Sequence, residues 1–359
     1  MRINKLRLLN VRNLQATEIE PAAQVNLVFG RNASGKTSLL EALFVLSRGK
    51  SFRTSQLRHL IQKGQTHFTI YGKVEGEHQH AIDISVSYQK RRIRLQAHGR
   101  PLERASKLAS MVPLVVIHQE SHRLLLEGPS QRRNFMDWAL FHVEHSFHVL
   151  WRRYGRALKQ RNIALQQHAS RKTCEVWNEE LENSAQTIHR LRKLFSDELR
   201  PRFEAFLKEL LPDMGEVQLD YQAGWPEERD YRAVLSEAFP GDHDRGFTRF
   251  GPHRADMVLT QDGVLLKDRV SRGQQKLLVC ALYLAQLHYF GEKTGKPCIL
   301  LIDDIAAELD DIHRNLLLER ISGLDIQVFM TATEALDDLP ARLVQKRFHV
   351  EHGRVEQVL

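Results

Sequence analysis

The sequence predicts an α/β fold with a helical stretch inserted into it. Three observations carry the prediction. Residues 25–29, VNLVF, are a short apolar run that leads through a glycine loop into SLLEALFVLS, giving strand, loop and helix in succession. Residues 298–302, CILLI, are a second such run, and it ends on paired aspartates. Between them, residues 130–211 hold one glycine (Gly155) and one proline (Pro201) and are rich in Leu, Arg, Glu and Gln, as in long helices with polar faces.

The other elements follow in order. Residues 2–9 alternate loosely through Ile3, Leu6 and Leu8 and read as a half-buried strand. The helix after the glycine loop takes its apolar face from Leu39, Leu40, Leu43, Val45 and Leu46. Residues 67–98 read as three antiparallel strands, with turns at Gly76–Glu77 and near Gln89–Lys90, and VPLVVIH at 112–118 as a short buried strand. In the helical stretch we expect a break near Pro201, an end at Pro212, and Trp138, Trp151 and Trp177 as core anchors. Residues 212–250 read as irregular, 276–290 as an apolar helix, 326–331 as a strand, and FHVEHG with RVEQVL as a final strand pair.

The length of 359 residues suggests two domains, or one large domain with an insertion. Apolar residues are 42% and charged residues 27%, ordinary for a soluble globular protein. The net charge of +8 modestly favours a polyanionic partner. Cys174, Cys280 and Cys298 show no CxxC or CxxH spacing, which rules out a cysteine zinc site and argues for a reducing compartment. The N-terminus MRINKLRLLN lacks a signal-peptide pattern and no run approaches 18 apolar residues, so we expect a cytoplasmic protein with no membrane span.

Gly30-Arg31-Asn32-Ala33-Ser34-Gly35-Lys36-Thr37 is a complete G-x-x-x-x-G-K-T, followed by Ser38. It lies between an expected strand and an expected helix, which is the context the motif needs. The glycines let backbone amides turn towards a phosphate, and the helix N-terminus adds unpaired N–H groups. Lys36 can reach the β and γ phosphates, and the Thr37 hydroxyl can ligate Mg2+. The competing explanation is a chance glycine turn.

Asp303 and Asp304 end the run CILLI. A carboxylate at the carboxyl end of a buried strand faces the crevice where α/β sheets bind ligands, so Asp303 can hold the metal. Asp304 would stand near the γ-phosphate, where it could orient or deprotonate a water. The bland alternative is a solvated turn. No NKxD tetrad is present, which disfavours a GTPase, and Lys36 lies too far from Asp303 for a minimal nucleotide kinase.

Ser271-Arg272-Gly273-Gln274-Gln275-Lys276 resembles the SxGQxx signature of ABC-type ATPases, and Glu308-Leu309-Asp310 resembles their D-loop. GRNASGKTSLLEAL, SFRTS at 51–55, EGPSQRRNFMDW at 127–138, GPHRAD at 251–256, SRGQQKLL at 271–278 and LLIDDIAAELD at 300–310 together resemble the RecF family, relatives of SMC and Rad50 heads. The resemblance runs from the first strand nearly to the C-terminus.

This resemblance implies a P-loop ABC-type ATPase head with an inserted helical lobe. Residues 1–125 and 246–359 would form the ATP-binding lobe and 126–245 the helical lobe. It implies ATP and Mg2+ as cofactors, held in cis by Gly30 to Ser38 and Asp303. Ser271, Gly273 and Gln274 would reach the γ-phosphate from the partner in an ATP-dependent homodimer, and Asp304 would take the catalytic position with Lys36. It further implies slow DNA-dependent hydrolysis, binding to double-stranded DNA and its junctions with single strands, and work with RecO and RecR in loading a recombinase at gaps. Roles in replication and the SOS response, and association with the nucleoid, follow from the same resemblance.

Three departures stand out. IHQES at 117–121 differs from the family pattern, although Gln119 is a candidate for the Q-loop residue near Mg2+. Thr331-Ala332-Thr333 stands where transporter ATPases carry a histidine, so a hydroxyl is the candidate phosphate sensor. Asp304 replaces the more common Glu.

The DNA-contact candidates are Arg91, Arg92 and Arg94 beside Lys90, then Arg132 and Arg133, then Arg152 and Arg153 with Arg156, Lys159 and Arg161. Arg190, Arg192 and Lys193 form a further cluster. Each cluster taken alone reads more readily as a solvated face, and for Arg132 and Arg133 intramolecular pairing is the bland explanation. Arg53 and Arg58 are expected to order the loop beyond the nucleotide site. His253 is expected to be structural or lobe-coupling rather than a metal ligand.

An SMC or Rad50 head needs a long coiled coil before the signature, and the helical stretch allows only two antiparallel helices of about 25–35 residues. The helical insertion and the DNA-family motifs argue against a transporter ATPase subunit. Intact Lys36, Asp303 and Asp304 disfavour an inert scaffold.

Overall fold

The computed structural model describes residues 1–75, 81–305, 309–336 and 343–358. The chain divides into two compact units: Met1–Ser121 with Phe290–Leu359, and His122–Tyr289. The first unit opens with β1 (Arg2–Leu9), β2 (Thr17–Ile19), β3 (Val25–Phe29), α1 (Lys36–Arg48), β4 (His67–Glu75), β5 (Ala81–Gln89), β6 (Arg92–Ala97), β7 (Arg100–Pro101), α2 (Ala105–Met111) and β8 (Leu114–Ile117). The second holds α3 (Arg123–Leu126), α4 (Pro129–Val143), α5 (Phe147–Gln166), α6 (Arg171–Glu175), α7 (Asn178–Leu210), β9 (Gln218–Gln222), α8 (Tyr231–Arg245), β10 (Asp256–Gln261) and β11 (Val264–Leu265). Helix α9 (Arg272–Thr294) begins in the second unit and ends in the first. After it come β12 (Cys298–Ile302), a helix over Asp311–Ser322, β13 (Ile326–Ala332), β14 (Lys346–Glu351) and β15 (Arg354–Gln357).

Two six-stranded sheets build the first unit, one antiparallel in the order β2-β1-β4-β5-β6-β7 and one mostly parallel in the order β15-β14-β3-β13-β12-β8. Helix α1 is apolar on nearly every side, and such a helix must be buried. Its Leu39, Leu40, Leu43 and Leu46 share one core with Ile3, Leu6 and Ile70 of the first sheet and with Val28, Leu301 and Phe329 of the second. The strands at 2–9, 25–29 and 298–302 lie where the sequence places them, as does the pair closing the chain. The expected turn at Gly76–Glu77 lies outside the described residues.

In the second unit, the end of α5 and α6 meet through Leu165 and Cys174, while Trp151 near the start of α5 stacks under Arg192 of α7 at 4.8 Å. The two helices are therefore antiparallel. Helix α7 runs unbroken through Pro201, contrary to expectation. Leu199, Phe203, Leu207 and Leu210 are buried on its last three turns, and that packing outweighs the roughly 3 kcal/mol a proline costs in a helix.

Residues 212–250 are also more regular than expected. They contain β9, which pairs with β10 from Gln222↔Asp256 to Gln218↔Thr260, and α8, capped by Asp230 accepting from the Ala233 N–H at 3.0 Å. The β9–β10 pairing ties residues after 246 to the helical unit. The boundaries accordingly fall at 121/122 and 289/290, where the sequence reading places them at 125/126 and 245/246. Trp138, Trp151 and Trp177 are only half-buried, and the buried aromatic anchors are Phe147, Tyr154, Phe195 and Phe203.

Candidate functional site

Strands β3, β13 and β12 run parallel and in register, Leu27 opposite Met330 and Met330 opposite Ile302. Their carboxyl ends emerge side by side, so Gly30, Thr331 and Asp303 reach one edge of the sheet, the position where open α/β sheets carry ligand sites. Gly30 takes φ 147° and Gly35 φ 128°, conformations that a side chain disfavours. A Cβ at Gly30 would lie 2.2 Å from the Val350 carbonyl oxygen, and one at Gly35 would lie 2.7 Å from Leu14 Cδ2. Both glycines of the motif are therefore required by the space around the loop.

The loop is held from outside as well. Asn13 Nδ2 donates to the Ala33 carbonyl at 3.0 Å, and Asn13 Oδ1 accepts from the Ser38 hydroxyl at 3.0 Å. The Gly353 N–H donates to the Ser34 carbonyl at 3.1 Å. Arg31 and Asn32 are exposed at the tip. Lys36 is buried, and its ammonium donates to the carbonyls of Gly30 at 2.6 Å and Arg31 at 2.9 Å. Burial lowers its pKa from the ordinary lysine value, and Asp304 and Asp303 oppose that shift.

Thr37 and Asp303 converge across the sheet edge. The Thr37 hydroxyl donates to Asp303 Oδ1 at 3.0 Å, and the Thr331 hydroxyl donates to the same oxygen at 2.8 Å. Thr331 Oγ1 also accepts from the Asp304 backbone N–H at 2.7 Å. Asp304 adopts φ 60°, a left-handed conformation uncommon for a residue with a side chain. Lys36, Thr37, Asp303, Asp304 and Thr331 face one cavity of about 800 Å3, with Arg12, Arg53 and Lys63 also on its lining. Anionic and cationic groups thus confront each other across a space large enough for a nucleotide.

A hydroxyl and a carboxylate on one side of a polar cavity are hard oxygen donors, which suits Mg2+. Among the described residues no group of three or more His, Cys, Asp or Glu could hold a metal ion. Mg2+ commonly takes only one or two protein ligands and completes its shell with phosphate and water, so Thr37 and Asp303 fit it.

Other expected residues lie elsewhere. Gln119 is exposed in a 3-10 turn, Gln119–His122, after β8 and does not line the cavity. Ser271 and Gln274 belong to the second unit and form a reciprocal cap on α9: the Gln274 N–H donates to Ser271 Oγ at 3.3 Å, and the Ser271 N–H donates to Gln274 Oε1 at 2.9 Å. Gly273 follows in the exposed first turn. Glu308 lies outside the described residues, and Asp310 caps the helix Asp311–Ser322 by accepting from the His313 N–H at 2.9 Å.

The basic clusters separate cleanly. Arg132 makes a two-bond pair with Asp256, at 2.6 and 2.9 Å, and donates to the Leu124 and Glu127 carbonyls. Arg133 donates to the Ala255 carbonyl at 2.9 Å. Arg161 and Arg192 are wholly buried, the first on Asp242 at 2.9 Å and the second on Asp137 at 2.9 and 3.0 Å. All four guanidinium groups crosslink the helical unit, the intramolecular pairing that is the bland explanation for Arg132 and Arg133. Arg91, Arg92, Arg94, Arg152 and Arg153 remain exposed.

His253 is structural. Its Nδ1 lies 2.6 Å from the Tyr154 hydroxyl and its Nε2 3.0 Å from the Thr248 carbonyl, and burial pushes its pKa down to about 4. Arg12, Asn13 and Lys63 also line the cavity, and nothing local in the sequence marks them as site residues. Arg53, expected only to order its loop, lines the cavity.

Comparison with known proteins gives one consistent picture. Residues 2–338 match the family described as RecF/RecN/SMC N terminal domain. The DNA replication and repair protein RecF of Cellvibrio japonicus is 40% identical over 362 aligned residues, covering 99% of both chains. That of Shewanella loihica is 37% identical, again covering 99% of both. A solved structure of the recombination mediator protein RecF with ATPrS, in the RecFOR pathway, superposes with a TM-score of 0.87 at 25% identity, covering 100% of this chain and 98% of that one. An Smc head domain from Pyrococcus furiosus, bound to the C-terminal domain of ScpA, shares the fold with a TM-score of 0.62 at 15% identity, over 99% and 95% of the two chains.

Proposed function

Because the chain belongs to the RecF family, with the α/β P-loop head shared by SMC proteins, we propose that it is an ATP-gated DNA clamp of recombinational repair. The observation that carries this reading is the convergence of Lys36, Thr37 and Asp303 on one cavity, with the glycine loop locked on its far side. ATP is the ligand of choice because the family's solved structures hold ATP and ATPrS.

In this reading the loop amides and the α1 N-terminus cradle the phosphates. Lys36 exchanges its bonds to the Gly30 and Arg31 carbonyls for the β and γ phosphates, which compensates its buried charge. Thr37 and Asp303 are the residues that would hold Mg2+. When bound, the ion would neutralise developing charge on the phosphate oxygens. Asp304 orients the attacking water, and the bond from its N–H to Thr331 fixes its backbone. Ser271, Gly273 and Gln274 present the exposed N-terminus of α9 to the ATP of a second copy. Arg91, Arg92, Arg94, Arg152 and Arg153 supply sequence-independent contacts to duplex phosphates. RecR, with RecO, is the partner that directs the closed dimer to gaps. No described helix is long and apolar enough to cross a membrane.

Sedimentation of wild type and Asp304→Asn with ATP, Mg2+ and a gapped duplex tests the proposal. The expected result is an ATP-dependent dimer that carries DNA, with the variant holding both longer. A monomer that binds ATP and never pairs would refute the trans signature.

A further inference from the structure

The carboxylate of Glu41 lies under the cavity without lining it, and everything around it points back to the cavity. Glu41 sits on α1, little more than a turn after Lys36, and is 0% exposed. Arg12 donates to it through Nε at 2.9 Å and through Nη2 at 2.8 Å, a two-pronged pair that fixes the guanidinium plane. The Ser51 hydroxyl also donates to Glu41. Ser51 Oγ in turn accepts from the N–H groups of Arg53 at 2.9 Å and Thr54 at 3.1 Å, and Arg53 Nη1 reaches Glu41 at 3.5 Å.

One buried charge thus gathers Arg12 beyond the end of β1, the helix of the phosphate loop and the segment 51–54. The two arginines it gathers, Arg12 and Arg53, both line the cavity. Their side chains are 24% and 44% exposed, so each keeps an open edge. A carboxylate buried this deeply is costly unless fully paired, and a purely structural role would need no exposed partner.

We infer that Glu41 is a positioning residue, which holds Arg12 and Arg53 as a paired guanidinium clamp for the anionic part of the nucleotide. The inference rests on the reading that the cavity takes ATP. Arginine held in plane by a carboxylate loses little further freedom when it pairs with a phosphate. Glu41→Gln keeps the shape of the side chain, yet sets an amide NH2 against a guanidinium N–H and so breaks one prong of the Arg12 pair.

The test is a titration of ATP and Mg2+ into full-length wild type, Glu41→Gln, Arg12→Gln and the double variant, alongside melting of the nucleotide-free proteins. Glu41→Gln should weaken binding about ten-fold, the loss of one charge-assisted contact, and should add little to Arg12→Gln. Losses that multiply in the double variant would overturn the inference, as would wild-type affinity in folded Glu41→Gln. Should Glu41→Gln fail to fold, Ser51→Ala keeps the carboxylate and releases Arg53. It should weaken binding about two- to three-fold, with no further loss when combined with Arg53→Gln; unchanged binding refutes the clamp. A wild type that binds no ATP defeats the underlying reading instead, and the clamp with it.

Discussion

Thr331→Val is the perturbation that most sharply separates binding from hydrolysis at this site. Thr331 is 0% exposed, and its hydroxyl makes two bonds at once, to Asp303 Oδ1 at 2.8 Å and from the Asp304 N–H at 2.7 Å. Valine matches threonine in shape, so the change opens no cavity and acts through the hydroxyl alone. A hydrogen bond to a charged group contributes about 1.5–3 kcal/mol, and an orphaned donor costs about 1–3 kcal/mol. Asp304 then lacks the backbone contact made at φ 60°, and of the two hydroxyls on Asp303 Oδ1 that of Thr37 remains. If about 1.4–2.8 kcal/mol of this loss reaches the transition state, hydrolysis slows by about 10- to 100-fold. The Lys36 cradle is untouched, so nucleotide binding should change little. Single-turnover hydrolysis, read beside a nucleotide titration, measures both, and Thr331→Ser should restore most of the rate. Hydrolysis within two-fold of wild type in Thr331→Val would refute the argument that this hydroxyl sets the two aspartates.

Two further predictions concern the helical unit. Asp242→Ala leaves the wholly buried Arg161 without its carboxylate and should cost about 3–5 kcal/mol, seen as a fall of roughly 2–4 °C per kcal/mol in the melting temperature of that unit. Arg161→Met with Asp242→Leu should recover much of the loss, and additive losses would argue against the pairing. His253 sits well below its unfolded pKa near 6.5, so the unfolded chain binds the extra proton between about pH 6.5 and 4. Stability should therefore be full above pH 6.5 and fall by about 2–3 kcal/mol towards pH 4, and His253→Gln should flatten that slope in urea melts taken across the window.

What could be read from the sequence follows from how local each signal is. The phosphate loop announces itself because glycines, lysine and threonine must sit at fixed spacing beside one strand and one helix. Asp303 is legible because CILLI has no polar residue before it. Glu41 is not legible: within SLLEALF it looks like an ordinary polar position, and its meaning comes from Arg12, 29 residues earlier, and Ser51, 10 residues later. Arg132 and Arg192 look like DNA contacts for the same reason, since Asp256 and Asp137 lie 124 and 55 residues away. Helix α8 is hidden by Pro240 and Gly241, breakers that the Arg161–Asp242–Arg249 network overrides. Charge tells how many arginines a chain has, and only packing tells which are spoken for.

The strap across the back of the phosphate loop has a consequence for the order of synthesis. Gly353 closes on Ser34, the Gln15 N–H donates to the Gly353 carbonyl at 2.9 Å, and the Val350 oxygen fills the space beside Gly30. The loop leaves the ribosome early and its back wall late: Gln15 and His352, which touch, are 337 residues apart. At about 5–20 residues per second, on the order of 20–60 s separate the two. During that interval the nascent chain carries a glycine loop with nothing behind it. Any product stopped short of β14 retains the whole G-x-x-x-x-G-K-T motif yet lacks the wall that shapes it. Tight nucleotide binding would then report that translation had run into the final hairpin.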